Sequence, residues 1–149
     1  MFVAGAWLEL LLCLGLFVAR PAAADPEELS GWWRIVDRVE SSDYAAYRGL
    51  RIEYLVRLRQ EGAWILGEGH KFAERDLVLP ASRRTPIAIA GTISGSSVTV
   101  SLVEHGHRRE SRGDFSWTLD DARGRMVGTF RSEAAASRGS SVAERLPVP

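Results

Sequence analysis

Leu50-Arg-Ile-Glu-Tyr-Leu-Val-Arg-Leu-Arg59 is the segment whose pattern decides the fold class. Apolar or aromatic side chains occupy every second position from Leu50 to Leu58, and charged residues fill most positions between them. Because successive side chains of a β-strand point to opposite faces, this alternation predicts a strand with one face in a core. A turn at 60–62 leads into a second segment, Ala63 to Glu74, and together they are expected to form a hairpin.

The same signature of short strands recurs through the rest of the chain after residue 24. The further predicted strands are Gly31 to Val39, Pro86 to Ile93, Ser96 to Glu104, Asp114 to Leu119, Arg125 to Arg131 and Gly139 to Arg145. No segment has the periodicity of a convincing helix. About eight short strands with local connections favour an all-β fold, a small antiparallel up-and-down barrel, over an open sheet with exposed edges.

The predicted connections alternate in length along the chain. The long ones are Ser41 to Arg48, Arg75 to Thr85, His105 to Gly113 and Ser132 to Arg138. In an up-and-down barrel successive connections lie at opposite ends, so the long ones are expected to surround one open mouth and the tight turns to close the other end. Open barrels of this kind hold ligands.

Aromatic, basic and imidazole side chains are concentrated in these long connections. The candidate ligand-binding residues there are Tyr44, Tyr47, Arg84, His105, His107 and Arg109. Guanidinium groups beside aromatic rings suit a small amphipathic or anionic ligand. The alternative is a solvated rim, in which the arginines pair with nearby acidic residues such as Asp43, Asp76, Glu110 and Glu133.

Glu68 is a further candidate, on the second strand of the hairpin. If Trp64, Leu66 and Phe72 face the barrel interior, alternation carries Glu68 and His70 inward as well. An interior carboxylate needs a partner or a raised pKa, which is typical of binding sites. The glycines on either side of Glu68 leave a second interpretation open, in which a bulge reverses the face and exposes it.

Residues 1–24 have the features of a signal peptide. An apolar run from Leu10 to Ala19 precedes Ala22-Ala23-Ala24, a small-residue site that predicts cleavage before Asp25. We therefore expect a periplasmic or secreted domain over 25–149, with a short tail from about residue 146. An uncleaved anchor is the alternative, but the apolar run is about half of the ~20 residues that a membrane-spanning helix needs.

Several kinds of chemistry find no support in the sequence. The single cysteine, Cys13, precedes the predicted cleavage site, and acidic and basic residues balance, so neither thiolate chemistry nor nucleic-acid binding is expected. No Gly-x-Ser-x-Gly motif or other catalytic set occurs, and no cofactor is predicted. His105 and His107 with Glu104 and Glu110 could be read as a metal cluster, but a closed zinc site needs about four ligands, so we predict none.

The N-terminal Gly31-Trp32-Trp33 and the late Arg145 carry a resemblance to a known superfamily. They resemble the calycins, the lipocalins and their relatives, in which a Gly-x-Trp sequence opens the first strand and an arginine of the last strand packs over that tryptophan. The resemblance implies that Gly31, Trp33 and Arg145 form a structural closed end. The chain lacks the disulfides and clear C-terminal helix of that superfamily, and it also resembles exported bacterial proteins of unknown activity.

Two functions follow as expectations. The first is an exported binding module whose barrel holds a small amphipathic or anionic ligand. The second is a protein-interaction module, such as an exported inhibitor or an envelope assembly factor that binds an envelope protein, with a barrel filled by side chains. The interior volume distinguishes them, because bulky residues such as Trp64, Phe72, Phe115 and Trp117 could fill a barrel of this size.

Overall fold

A computed structural model describes residues 29–147, and the predicted signal peptide with its cleavage site lies outside this range. The described residues form nine strands and three single-turn 3-10 helices. The strands are β1 (Gly31–Ser41), β2 (Arg51–Glu61), β3 (Trp64–Glu74), β4 (Leu77–Val78), β5 (Thr85–Ser94), β6 (Ser97–His105), β7 (Glu110–Leu119), β8 (Arg125–Ser132) and β9 (Ser137–Arg145). The 3-10 helices are Ala45–Tyr47, Ala81–Arg83 and Ala134–Ala136.

The eight long strands close into one antiparallel barrel. Each long strand pairs with the next one along the chain, and β9 pairs with β1 to complete the ring. The two-residue β4 pairs with β3, and it adds a short extra strand to the barrel. The prediction of an eight-stranded up-and-down barrel is therefore confirmed. Within 29–147 no helix has the length and apolar character to cross a membrane.

Several strands are longer than their sequence pattern indicated. β7 begins at Glu110 rather than Asp114, so the connection from β6 is only residues 106–109. The added residues pair with the end of β6, where Glu110 lies opposite His105. They are polar because this part of the barrel wall reaches the mouth. A polar strand segment has no alternation of apolar residues, so the sequence pattern does not identify it as a strand.

The structure decides between the two interpretations left open for β3, and it excludes the inward one. Trp64 and Leu66 are 66% and 43% exposed, whereas Ile65 between them is fully buried. Glu68 follows the register of Trp64 and lies on the exposed outer face. Phe72 is the extra residue of a bulge, because Glu53 pairs with Ala73 while Tyr54 pairs with Lys71. The bulge therefore comes after Glu68. In the part of β3 before the bulge, the face that contains Glu68 points outward and the other face points into the barrel.

Glycines on the inward face of β3 explain why the pattern misled. Gly69 lies opposite Val56, which is buried in the barrel, and a Cβ added at Gly69 would overlap the carbonyl oxygen of Leu55. The close approach of β2 to β3 therefore needs glycine there. Since glycine has no side chain, the inward face carried little apolar signal, and the large exposed residues Trp64 and Leu66 supplied a stronger one.

Side chains fill the closed-end half of the barrel. Trp33, Ile65, Val98, Trp117 and Met126 are all at most 3% exposed, and they come from five different strands. Their convergence produces a packed core inside this half of the barrel.

Candidate functional site

A cavity of about 300 Å³ occupies the opposite half of the barrel. It opens between the connections β1–β2, β6–β7 and β8–β9, which contribute Tyr47, Arg109 and Ala134 to its lining. Its apolar walls come from β1, β2, β6, β7 and β8. The apolar lining residues are Val39, Leu50, Ile52, Leu102, Phe115 and Phe130.

A hydrogen-bonded ionic cluster lies on the cavity wall. The Tyr54 hydroxyl donates to Glu104 Oε1 at 2.6 Å, and Lys71 Nζ lies 3.2 Å from Glu104 Oε2 and 3.5 Å from Glu74 Oε2. Both oxygens of Glu104 are therefore occupied. Burial, followed by the charge of Glu104, raises the pKa of Tyr54 well above its ordinary value, so the phenol stays a hydrogen-bond donor.

Asp37 is the most deeply buried ionisable group that lines the cavity. Its side chain is 1% exposed, and within 29–147 its Oδ1 atom has no hydrogen-bond partner. The Trp117 indole N–H donates to Ser141 Oγ at 3.0 Å, which leaves the Ser141 hydroxyl to donate to the Asp37 carboxyl. Burial raises the pKa of Asp37 to about 8, against the lowering effect of Ser141 and with a further rise from Glu104.

These polar residues occupy inward positions of otherwise apolar strand faces. Asp37 continues the register of Trp33 and Ile35 on β1, and Tyr54 lies within the alternating segment of β2. Glu104 follows Leu102 in the same register on β6. A polar residue in an apolar alternation was the sequence signal that could have identified all three. Lys71 could not be found in this way, because the sequence left the inward face of β3 open.

Arginines line the cavity at its mouth. Arg108, Arg109 and Arg112 all contribute to the lining, from the β6–β7 connection and the start of β7. Arg108 and Arg109 are exposed, so their guanidinium groups are available to an anion that arrives from solvent. The interior cluster and the rim thus present opposite charges to a ligand, acidic below and basic above.

Hydrogen bonds tie two of the mouth connections together. Ser42 Oγ donates to the carbonyl oxygen of Ala135 at 3.1 Å, and Ser137 Oγ donates to Ser42 Oγ at 3.0 Å. The backbone N–H of Asp43 also donates to Ala135 at 2.8 Å. These contacts hold the β1–β2 and β8–β9 connections side by side, so this part of the rim has a fixed shape.

Two of the seven predicted ligand-binding residues line the cavity. Tyr47 and Arg109 do so, and Tyr47 is held by an edge-to-face contact with Tyr44 at 5.0 Å between ring centroids. The other five lie outside the lining. They are Tyr44, Glu68, Arg84, His105 and His107.

The positions of these five have simple physical reasons. Tyr44 is 57% exposed beyond Tyr47, and Glu68 is on the outer face of β3. Arg84 donates to the carbonyl oxygen of Leu79 at 3.2 Å and lies near His70, whose pKa is lowered by burial and then by that guanidinium charge. His105 lies 3.4 Å from Glu110 across β6 and β7, and His107 is exposed in the following connection.

The structure brings Trp33 and Arg145 together at the closed end. They are directly paired between β1 and β9, and the Arg145 guanidinium carbon lies 4.9 Å from the centroid of the Trp33 ring. Arg145 also donates to the carbonyl oxygen of Ser30 at 2.9 Å, and Trp33 donates to that of Leu29 at 2.9 Å. Gly31 has a φ of +135°, a conformation that side chains rarely adopt. Leu29 and Ser30 are thereby held against the closed end of the barrel.

Among residues 29–147, no three His, Cys, Asp or Glu side chains are grouped as metal ligands would be. The histidines of the 105–107 segment are both exposed.

Comparison with models of protein families found no match to this chain, and comparison with curated proteins found no similar sequence. The barrel fold rests on the structure itself, and the resemblance to the calycins stays a prediction.

Proposed function

We propose that this protein is an exported binding module whose barrel holds a small amphipathic ligand, with an anionic group at the arginine mouth. The single observation that carries the proposal is the cavity of about 300 Å³ with apolar walls and a basic rim. An apolar pocket with a few convergent polar groups is the usual form of a small-molecule site. A lipocalin-like barrel is a scaffold that suits this role.

The cavity volume restricts the ligand to a small one. Small-molecule sites span roughly 300–1,000 Å³, and this cavity lies at the lower end of that range. Trp117 and Trp33 fill the barrel below it, so a long lipid chain has no space to continue. A medium-chain acid or an aromatic acid fits the available volume better than a membrane lipid.

Octanoate is a suitable probe, and isothermal titration calorimetry is the measurement. We expect saturable binding that weakens with added salt, because the rim guanidinium groups are exposed and screened. Arg109→Ala should weaken binding by up to about fivefold, in line with the loss of one exposed charge pair. Arg125→Ala is the matched control, since Arg125 is an exposed arginine at the closed end, paired with Glu144 at 3.8 Å. Equal losses in the two variants would contradict the assignment of the mouth.

Export is the second part of the proposal, and the N-terminal sequence supports it. Cleavage before Asp25 leaves Leu29 in the mature chain, and Leu29 is buried at the closed end, where its N–H donates to Gln60 Oε1 at 3.1 Å. N-terminal sequencing of the protein recovered from its own host should therefore begin at Asp25. Recovery of an intact Met1 form held in the membrane would contradict cleavage.

A protein-interaction module is the alternative, and the outer face of β3 and β4 favours it. Leu77 and Val78, which are adjacent on β4, are 70% and 68% exposed, and Trp64 at the opposite end of β3 is 66% exposed. Exposed apolar side chains that lie together, as on β4, are a feature of interaction surfaces. Native mass spectrometry of the protein purified from its host envelope separates the two functions. A bound small molecule supports the binding module, whereas a stoichiometric protein partner on a protein that does not bind octanoate supports the alternative.

A further inference from the structure

The charges inside the cavity are unbalanced beneath the rim. Three carboxyl groups, those of Asp37, Glu74 and Glu104, line the cavity there, and Lys71 supplies the ammonium group among them. Lys71 lies within 3.5 Å of both glutamates, so its charge is engaged by them. The Asp37 carboxyl is influenced instead by the repulsive charge of Glu104.

Asp37 also has unused hydrogen-bonding capacity, and the residue is part of the cavity wall. Ser141 occupies one side of the carboxyl, and Oδ1 has no partner among residues 29–147 although the group is almost fully buried. A buried oxygen of this kind costs free energy unless a ligand or a solvent molecule satisfies it. A positively charged donor satisfies it best, because it would also offset the repulsion that Glu104 exerts on Asp37 once that carboxyl is ionised.

We infer that the cavity binds an organic ammonium group, with Asp37 as its counter-ion beneath the apolar walls. This inference rests on the proposed function, since it concerns the same cavity. Together they define a ligand class, an amphipathic zwitterion whose ammonium group reaches Asp37 and whose anionic group meets the arginine mouth. A primary ammonium has three donors, which suit Oδ1 of Asp37 and other acceptors of the cavity wall.

The depth of Asp37 sets the length of such a ligand. Asp37 lies four residues before Ser41, the last residue of β1, so about 13 Å of strand separates it from the rim. The tilt of barrel strands shortens this distance along the axis. An extended eight-carbon ω-amino acid has a comparable length, and its methylene chain would lie against Leu102, Phe115 and Phe130.

Ammonium binding should be linked to proton release. The free Asp37 carboxyl, with a pKa of about 8, is mostly protonated at neutral pH, and it must ionise to act as a counter-ion. Affinity for an ammonium ligand should therefore rise as the pH increases towards about 8, and the proton should appear in the buffer. Groups from the elements packed around Asp37 define its environment. They are Tyr54 of β2, Lys71 and Glu74 of β3, Glu104 of β6, Trp117 of β7 and Ser141 of β9.

A series of three probes tests the inference by calorimetry on the mature chain: octanoate, 8-hydroxyoctanoate and 8-aminooctanoate. The three share the anionic end and chain and differ only in the group that reaches Asp37. At about pH 8 the amino compound should bind at least about tenfold more tightly than either of the others. At about pH 7 its measured heat should vary with the ionisation enthalpy of the buffer, because protons are released.

Asp37→Asn is the decisive variant, because asparagine preserves the shape of the side chain and one acceptor oxygen for Ser141 but cannot ionise. The advantage of the amino compound should disappear in Asp37→Asn, so that it binds no more tightly than octanoate does to the same variant. Asp121→Asn, at an exposed turn of the closed end, is the matched control and should retain the full advantage.

The outcomes separate the two proposals. If octanoate binds but the amino group adds nothing, or if its advantage survives in Asp37→Asn, the inference is wrong and the binding module stands. If 8-hydroxyoctanoate binds as tightly as the amino compound, or amino-compound affinity falls as the pH increases to about 8, Asp37 acts as a neutral hydrogen-bond donor and the inference is again wrong. If none of the three probes binds, both proposals fail.

Discussion

The two ends of this barrel are built from the same strands but satisfy their polar groups in different ways. At the closed end, Arg145 lies over Trp33 and donates to the backbone of Ser30, so a partly buried charge has several protein partners. At the open end, Asp37 is more deeply buried than Arg145, and one of its oxygens has no partner among residues 29–147. The closed end is complete within the chain, whereas the open end has a group that a ligand could satisfy.

This difference indicates a division between stability and binding along the barrel axis. Packed aromatic and aliphatic side chains stabilise the closed half, and they create the rigid base on which the cavity rests. In the open half a cavity replaces packed side chains, and ionisable groups are buried in its wall. Both features lower the free energy of unfolding. Substitutions at the closed end and substitutions at the open end should therefore affect different measured properties of the protein.

The largest expected effect is at the closed end. Trp33→Ala should lower the free energy of unfolding by about 3–5 kcal/mol, because a fully buried indole is replaced by a cavity and the Leu29 carbonyl oxygen loses its donor. Trp32→Ala is the matched control on the outer face, where Trp32 is 40% exposed, and it should cost about 1 kcal/mol or less. Urea denaturation gives both values, and similar costs for the two would break the contrast between the ends.

The next effect is a pH dependence at the open end. Because folding raises the pKa of Asp37 from 3.8 to about 8, the folded state holds a proton that the unfolded state has lost in this interval. The stability associated with this group is present below the unfolded pKa and is lost as the pH rises through the folded pKa. Its largest slope is about a tenfold change in the folding equilibrium per pH unit.

Denaturation curves of wild type and Asp37→Asn between about pH 5 and about pH 8 check this linkage. The wild type should lose stability relative to the variant as the pH increases, since the other ionisable groups are common to both. Parallel profiles would mean that Asp37 keeps an ordinary pKa in the folded protein and that its surroundings are better solvated than the structure indicates.

A smaller effect is expected from the coupling of Trp33 to Arg145. A double-mutant cycle with Trp33→Ala and Arg145→Ala should give a coupling of about 1 kcal/mol, as expected for a cation over an aromatic ring that is partly shielded from water. Fully additive losses would show that the two residues act independently, and the closed end would then depend on apolar packing alone.

The smallest effect on stability should come from the rim. Arg109→Ala is expected to change the free energy of unfolding by less than about 0.5 kcal/mol, because Arg109 is exposed and makes its contribution to the cavity lining rather than to the core. Thermal denaturation measures this directly. A large loss would place Arg109 among the stabilising residues and weaken its assignment to ligand binding.

Strand alternation made most of the barrel predictable from the sequence. The pattern of β2 from Leu50 to Leu58 needed no tertiary information, since one face is apolar and the other charged. The same reasoning failed on β3, where Gly67 and Gly69 face inward and leave no apolar trace. Where side chains of neighbouring strands fill the space beside a strand, the residues of that strand do not show which of its faces points inward.

The candidate site was less predictable than the fold. Tyr47 and Arg109 were found because aromatic and basic residues in a connection stand out locally, whereas Asp37 and Lys71 became recognisable only when strands distant in sequence were brought together. The sequence by itself determined the strand alternation and hence a barrel, and the resemblance to the calycins indicated the closed-end residues Trp33 and Arg145. The tertiary structure decided which carboxyl group is buried without a partner, because burial and charge balance depend on every strand that surrounds the cavity.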